Sequence, residues 1–161
     1  MRVSAVCYAA ASIEQVKELA YKVTAVTHNH IEGIKGAEAT AVAVYMALQG
    51  SSMQEIKDIV IKDYYPMGFT LDEIRDTYRF NETCQNTVPQ ALEAFFESIG
   101  FEDAIRNAIS IGGDSDTLAA ITGAVAGAYY GVPEEIKARA LSFLDNTQKD
   151  IYLSFVKNFS Q

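Results

Sequence analysis

Two aspartates and a threonine, Asp114, Asp116 and Thr117, lie within one helical turn of each other in the segment GGDSDT. Carboxylate and hydroxyl oxygens are ligands that Mg²⁺ prefers in proteins. The same residue types also cap helices, because they accept hydrogen bonds from the unpaired amides of the first turn and meet the positive end of the helix dipole. The segment therefore predicts either a cap at Asp114 or a magnesium site, and the spacing alone leaves both open.

The segment that follows is apolar and contains small residues at regular spacing. Ala119, Gly123, Gly127 and Gly131 recur at every fourth position. Residues four apart share one face of a helix, so this face carries little side-chain bulk and another backbone can approach it closely. A surface helix does not need such a face, whereas a central helix that carries a rigid site does. The pattern favours a metal site over a simple cap.

A second polar cluster, His28, His30 and Glu32, has the form H-x-H-x-E and precedes a predicted helix. Two imidazoles at this spacing could share a zinc ion in extended or turn geometry. They could equally be loop residues that cap the amides of the next helix. A third interpretation is that His28 donates a hydrogen bond to a phosphate oxygen of a ligand.

Aromatic residues accompany two further candidates. Arg79 lies between Tyr78 and Phe80, and this combination suits stacking on a base and contact with phosphates. The same aromatic residues could instead seal the core. Tyr129 and Tyr130 end the apolar segment, where they could contact a ligand or pack in the core with their hydroxyl groups at its rim.

Composition limits the class of protein. The 161 residues suit one domain, 1–161, with 49% hydrophobic residues, and the charge is 13 minus 21, or -8. A surface this acidic disfavours nonspecific binding to nucleic acid or to anionic membranes. The apolar run from Leu118 to Val132 is shorter than the roughly 20 residues that span a bilayer. Cys7 and Cys84 have no neighbouring cysteine partner, so we expect reduced thiols in a cytoplasmic protein.

No segment alternates with the period of a strand, and the chain reads as all-α. Ser, Thr and Pro residues at helix starts and Gly residues at helix ends set the expected boundaries. Predicted helices run from Ile13 to Val26, from Gly33 towards Gly50, from Ser52 towards Tyr65, briefly after Thr70, from Pro89 towards Gly100, from Phe101 to Ile111, from Asp114 to Gly131, from Pro133 to Phe143, and from Thr147 to Phe159, with an ordered loop over Thr77 to Asn86.

Three segments together resemble the ADP-ribosylglycohydrolase family. GGDSDTLAAITGAVAGAYYG is similar to the C-terminal signature of that family, AVTHNHIEGIKGAEATAVAVYMAL to its central segment, and TYRFNETCQNTVPQALEAFFES fits between the two. The family's N-terminal Thr-Asp-Asp metal motif has no counterpart here, and Met1 and Arg2 look like the end of its Asn-Gly-x-x-Met-Arg loop. The resemblance implies the C-terminal half of a compact orthogonal helical domain, truncated at the N-terminus.

The resemblance also implies a function and its residues. Family members cleave the glycosidic bond of ADP-ribosylated proteins or ADP-ribose conjugates at two magnesium ions. By this resemblance Asp114, Asp116 and Thr117 form one side of the binuclear centre, with both aspartates catalytic, while His28, Arg79 and Tyr129 contact the ADP-ribose ligand. We expect the chain to need another polypeptide that supplies the N-terminal half. The alternative is a non-catalytic remnant or interaction module.

The missing half leads to one structural expectation. In the family it would cover part of the glycine face and of the apolar Ala37 to Leu48 helix. Exposed apolar surfaces of that size promote association, so we expect a homo-oligomer or a bound partner.

Overall fold

Every regular element that the computed structural model describes, over residues 2–159, is a helix. The α-helices are α1 (Ile13–Ala25), α2 (Ile31–Leu48), α3 (Met53–Asp63), α4 (Leu71–Ile74), α5 (Val88–Phe96), α6 (Phe101–Ser110), α7 (Ser115–Tyr130), α8 (Glu134–Ser142) and α9 (Asn146–Phe159). Short 3-10 turns occupy Ser4–Tyr8 and Cys84–Asn86. The all-α prediction is confirmed over this part of the chain.

Side-chain caps set the starts of several helices. Ser52 and Glu55 form the predicted capping box of α3, in which the Ser52 amide donates to Glu55 Oε2 at 2.7 Å and the Glu55 amide donates to the Ser52 hydroxyl. Thr70 and Glu73 form the same arrangement at α4. The helix positions that depend on these boxes are therefore those expected from the sequence.

Two boundaries differ from the predictions. Gly100 does not end α5, which stops at Phe96; it instead occupies the N-cap position of α6. The last helix begins at Asn146 because Asp145 and Gln148, rather than Thr147 and Asp150, bond to each other's amides at 2.8 and 3.1 Å. Both differences arise because each end has several polar or flexible residues in succession, and spacing alone does not select among them.

Helices α2 and α7 form the centre of the core. α2 is buried from Ala39 to Ala47 and packs against α1, α3, α5 and α7. α7 packs against α2, α5 and α6, and the buried Thr122 hydroxyl donates to the Ala91 carbonyl of α5 at 2.7 Å. The segment with apolar residues on all sides is thus a central helix, as its composition predicts.

The argument for an oligomer does not hold in this structure. It assumed that α2 and the glycine face of α7 lack cover within the chain. However, α2 is enclosed by its neighbours, and a Cβ atom placed on Gly123 would lie 2.9 Å from Ile105 Cδ1 of α6. A homo-oligomer stays a prediction, without this support.

The chain divides into two compact units, of which the first ends at Gly131 and the second begins at Val132. The second contains α8 and α9, neither of which has a buried residue, and the Phe155 and Phe159 rings of α9 lie 5.1 Å apart. The single domain expected from composition stays a prediction. Among residues 2–159, no helix has both the length and the apolar character needed to cross a membrane.

Candidate active site

A cleft of about 520 Å³ lies in the first unit and collects residues from distant parts of the sequence. One wall consists of the N-terminal segment and the start of α2, with Arg2, His28 and Gly33. The other consists of the loop before α5 and the start of α7, with Glu82, Asp114 and Thr117. The cleft therefore brings His28 together with Asp114 and Thr117, as the sequence predicts for one site.

The acidic turn at the start of α7 does not act as a side-chain cap. Asp114 occupies the N-cap position, but its carboxylate makes no capping hydrogen bond. Asp116 Oδ1 accepts a hydrogen bond from the Thr117 amide at 3.0 Å. The pKa of Asp116 is lowered, first by a hydrogen bond with the carboxyl group of Asp114 and then by backbone amides. The two carboxyl groups therefore lie within reach of each other.

This arrangement has the chemistry of a cation site. Two neighbouring carboxylates repel each other unless a proton or a cation lies between them. Two carboxylates and a hydroxyl are the hard oxygen ligands that Mg²⁺ favours, so the residues present fit that ion. Asp116 is exposed and does not line the cleft itself, but its carboxyl group meets that of Asp114, which does. Among residues 2–159, no three His, Cys, Asp or Glu side chains form a group that could hold a metal.

His28 belongs to a short hydrogen-bonded chain at the edge of the cleft. Its Nδ1 atom lies 2.8 Å from the Thr27 hydroxyl, and that hydroxyl also accepts a hydrogen bond from the Arg2 guanidinium. Both Arg2 and His28 line the cleft. This edge therefore offers a guanidinium and an imidazole to a ligand, and both can donate hydrogen bonds to phosphate oxygens.

The H-x-H-x-E cluster does not assemble a zinc site. His30 is the N-cap of α2, and its Nδ1 atom accepts a hydrogen bond from the Glu32 amide at 3.2 Å. His28 is bonded to Thr27 instead. The capping interpretation describes His30, and the zinc interpretation is wrong for the described residues.

The loop before α5 contacts the acidic turn directly. A Cβ atom on Gly113 would lie 2.5 Å from Tyr78 Cε1, and Gly113 has a φ of +66°. Tyr78 donates from its hydroxyl to the Asn86 carbonyl at 2.9 Å. Burial raises the pKa of Tyr78, and the nearby Asp114 contributes to the increase. Gly113 thus permits both the turn into α7 and the close packing of the loop.

Two predicted ligand contacts do not line the cleft. Arg79 is exposed, and its Nη1 atom donates to the Tyr78 carbonyl at 2.7 Å. Tyr129 lies near the opposite end of α7 from Asp114, with its ring 5.4 Å from Phe95 and 4.9 Å from Tyr130. Tyr130 donates to the Ser98 carbonyl at 2.7 Å. The structure therefore does not bring Arg79 or Tyr129 to Asp114 and His28, and their ligand roles stay predictions.

Two cleft residues were not among the sequence candidates. Cys84 lines the cleft against Gly36, where a Cβ would lie 2.9 Å from Cys84 Cβ, and burial raises the pKa of its thiol. Glu82 also lines the cleft, and neither its spacing nor its neighbours in the sequence indicated this. Gly36 was the available signal for Cys84, because a glycine inside a helix often marks close approach of another segment.

Comparison with known proteins gives the same assignment by an independent route. The family model described as ADP-ribosylglycohydrolase matches residues 1–158. The ADP-ribosylarginine hydrolase Tri1 of Pseudomonas putida (strain GB-1) is 30% identical over 68% of this chain and 31% of its own length. The human ADP-ribosylhydrolase ARH3 is 27% identical over 83% of this chain and 50% of its own length.

A solved structure shows the same fold. A chain of an ADP-ribosylglycohydrolase-related protein complex superposes with a TM-score of 0.58 at 28% identity, over 72% of this chain and 43% of that one. This chain thus spans about half or less of the length of the relatives described here. The match of the family model, which covers all three motifs and the cleft, shows that the chain belongs to the ADP-ribosylglycohydrolase family.

Proposed function

We propose that this chain forms one wall of a magnesium-dependent hydrolase site, which cleaves the glycosidic bond between ADP-ribose and a protein or another conjugated group. The observation that carries the proposal is the pair of adjoining carboxyl groups, Asp114 and Asp116, beside Thr117 and across the cleft from His28 and Arg2. The names of the relatives, an ADP-ribosylarginine hydrolase and an ADP-ribosylhydrolase, support the same reaction class.

The two walls have complementary tasks. Arg2 and His28 donate hydrogen bonds to the diphosphate of the ligand. Asp114, Asp116 and Thr117 hold the magnesium ion, which when bound lowers the pKa of water and neutralises charge near the ribose. In the reaction, the bond from the anomeric carbon to the conjugated group breaks with its electron pair going to that group. A water oxygen bonds to the carbon, and one water proton goes to the leaving group.

The remaining ligands of a binuclear centre come, in this proposal, from a second polypeptide. The sequence contains no Thr-Asp-Asp run. A site built on Asp114, Asp116 and Thr117 alone leaves a magnesium ion largely hydrated and therefore weakly bound. We accordingly expect this chain to bind ADP-ribose with Mg²⁺ but to hydrolyse conjugates only when a chain with the missing motif is added.

The test compares two aspartates at helix starts. Asp114 makes no capping bond, whereas Asp145 accepts from the Gln148 amide at 2.8 Å. Asp114→Ala should leave thermal stability nearly unchanged and remove the dependence of ADP-ribose affinity on Mg²⁺, measured by calorimetric titration. Asp145→Ala should lower stability by about 1 kcal/mol and leave binding intact.

Two results would contradict the proposal. One is equal Mg²⁺ dependence in the parent and in Asp114→Ala, which would assign the acidic turn a purely structural role. The other is hydrolysis of ADP-ribosyl conjugates by this chain alone, which would refute the need for a second polypeptide.

A further inference from the structure

The cleft separates its charged side chains by wall. Arg2 lies on the wall formed by the N-terminal segment and the start of α2, together with His28. The opposite wall contains two carboxylates, Glu82 and Asp114. A ligand that is anionic at one end and cationic at the other matches this distribution better than one that is anionic throughout.

The position of Glu82 is fixed by its neighbours in the loop. Asn81 Oδ1 accepts hydrogen bonds from the Thr83 amide at 2.8 Å and from the Thr83 hydroxyl at 2.6 Å. The Asn81 carbonyl accepts from the Thr87 hydroxyl at 3.2 Å, close to the start of α5. The residues on both sides of Glu82 are therefore held, and the loop presents its carboxylate to the cleft at a defined place.

Glu82 differs from the other acidic residue of this wall in what it contacts. The Asp114 carboxyl group adjoins that of Asp116 and belongs to the proposed magnesium turn. Glu82 makes no ion pair with any residue between positions 2 and 159. Its loop packs against that same turn, through the contact of Tyr78 with Gly113. Glu82 is thus a carboxylate on the metal side of the cleft that is available to a cation.

We infer that Glu82 makes the site prefer ADP-ribose conjugates whose acceptor is cationic, such as a guanidinium, over conjugates of a neutral hydroxyl. The inference rests on the proposed function and specifies its substrate class. A guanidinium attached to the anomeric carbon would lie on the side of the cleft where the Asp114 turn and Glu82 meet. A carboxylate can accept two parallel hydrogen bonds from a guanidinium, which a serine-linked ribose cannot provide.

The expected preference is modest because Glu82 is exposed. Ion pairs at solvent-accessible positions change affinity by about two- to fivefold. The experiment measures the affinity of the chain, with Mg²⁺, for ADP-ribosyl-arginine, ADP-ribosyl-serine and free ADP-ribose by calorimetric titration. Glu82→Gln keeps the shape of the side chain and removes its charge. Asp76→Asn makes the same charge change at an exposed residue nearby that does not line the cleft.

The parent should bind the arginine conjugate about two- to fivefold more tightly than the serine conjugate. Glu82→Gln should abolish that difference without changing affinity for free ADP-ribose, and Asp76→Asn should preserve it. High salt should reduce the preference of the parent, since it screens exposed charges.

Failure of the inference and failure of the proposed function give different results. If free ADP-ribose binds but Glu82→Gln and the parent show the same ratio of affinities, the role of Glu82 is wrong while the proposed function stands. If the parent and all variants bind none of the three ligands, the proposed function is overturned, and the preference assigned to Glu82 is overturned with it.

Discussion

Cys84 lies directly on Gly36, so that a Cβ atom on that glycine would be 2.9 Å from Cys84 Cβ and 3.1 Å from its sulfur. The contact joins α2 to the short turn before α5, and both residues line the cleft. Real Cβ atoms do not approach this closely, so any larger residue at position 36 requires the turn or the helix to move.

Substitutions at Gly36 and at Gly33 should therefore have opposite effects. Gly36→Ala should destabilise the protein by about 1–3 kcal/mol through overpacking and should weaken ADP-ribose binding. Gly33→Ala is the matched control in the same helix, because its nearest atoms, in His28, would be 3.6 Å away. It should be neutral or stabilise by up to about 1 kcal/mol, since alanine favours helix. Urea unfolding of both variants measures the difference, and equal stabilities would show that the contact is not tight.

The two glycines before α7 allow a second matched comparison. Gly112 and Gly113 have φ of +74° and +66°, but only Gly113 contacts Tyr78. Alanine at either position should cost about 1–2 kcal/mol for the left-handed backbone. Gly113→Ala should in addition displace the loop and reduce Mg²⁺-dependent ADP-ribose affinity, whereas Gly112→Ala should not. Equal binding by both variants would contradict the role of the loop contact.

The ion pair between Lys57 and Glu93 should make a pH-dependent contribution to stability. Lys57 Nζ lies 2.8 Å from Glu93 Oε1, and Glu93 is only 2% exposed. Lys57→Met should cost about 2–3 kcal/mol at about pH 7.5, less than for a fully buried pair because Lys57 is partly exposed. Lys62→Met, on an exposed part of α3, is the control and should change stability little.

The sign of the pH effect follows from the pKa of Glu93. Burial raises that pKa above its ordinary value, and Lys57 opposes the increase. A raised carboxyl pKa means that the folded state binds more protons, so this group's contribution to the unfolding free energy falls as pH rises through the folded pKa. Without Lys57 the pKa should rise further. The loss of stability in Lys57→Met should therefore shrink between about pH 7.5 and about pH 5; a constant loss would show that Glu93 is not the group responsible.

Tyr129 and Tyr130 should respond differently to loss of the hydroxyl group. Tyr130→Phe removes the hydrogen bond to the Ser98 carbonyl and should cost about 1 kcal/mol in unfolding experiments. Tyr129 packs by its ring against Phe95, so Tyr129→Phe should change stability by less than about 0.5 kcal/mol. ADP-ribose titration with Tyr129→Phe also tests the ligand contact predicted for Tyr129. An unchanged affinity is expected from its position, and a clear loss would restore that prediction.

The sequence predicted the elements whose signals are local. The Ser52–Glu55 and Thr70–Glu73 boxes lie in the structure where their spacing placed them, because a capping box involves only residues of one turn. The burial of α2 also followed from its composition. Gly100 was misassigned because a glycine can either end one helix or precede the next, and the local sequence does not distinguish the two.

The candidate site was only partly readable for a different reason. His28, Asp114 and Thr117 carried motifs, and they line one cleft. Glu82 and Cys84 reach the same cleft only through the packing of their loop against α2 and α7, which no short-range pattern encodes. Arg79 and Tyr129 were chosen for their chemistry. Their side chains instead bond to the loop backbone and pack against Phe95, respectively.

The cleft draws its walls from segments that are far apart in the sequence, from Arg2 to Ile121. Contacts between such distant segments require large loops to close, and they are expected to form late when the chain folds. A ligand that needs both walls would then bind only after folding is nearly complete, and it would slow the first opening of the native state rather than accelerate folding. Recovery of ADP-ribose binding after dilution from denaturant should accordingly lag behind recovery of helical circular dichroism.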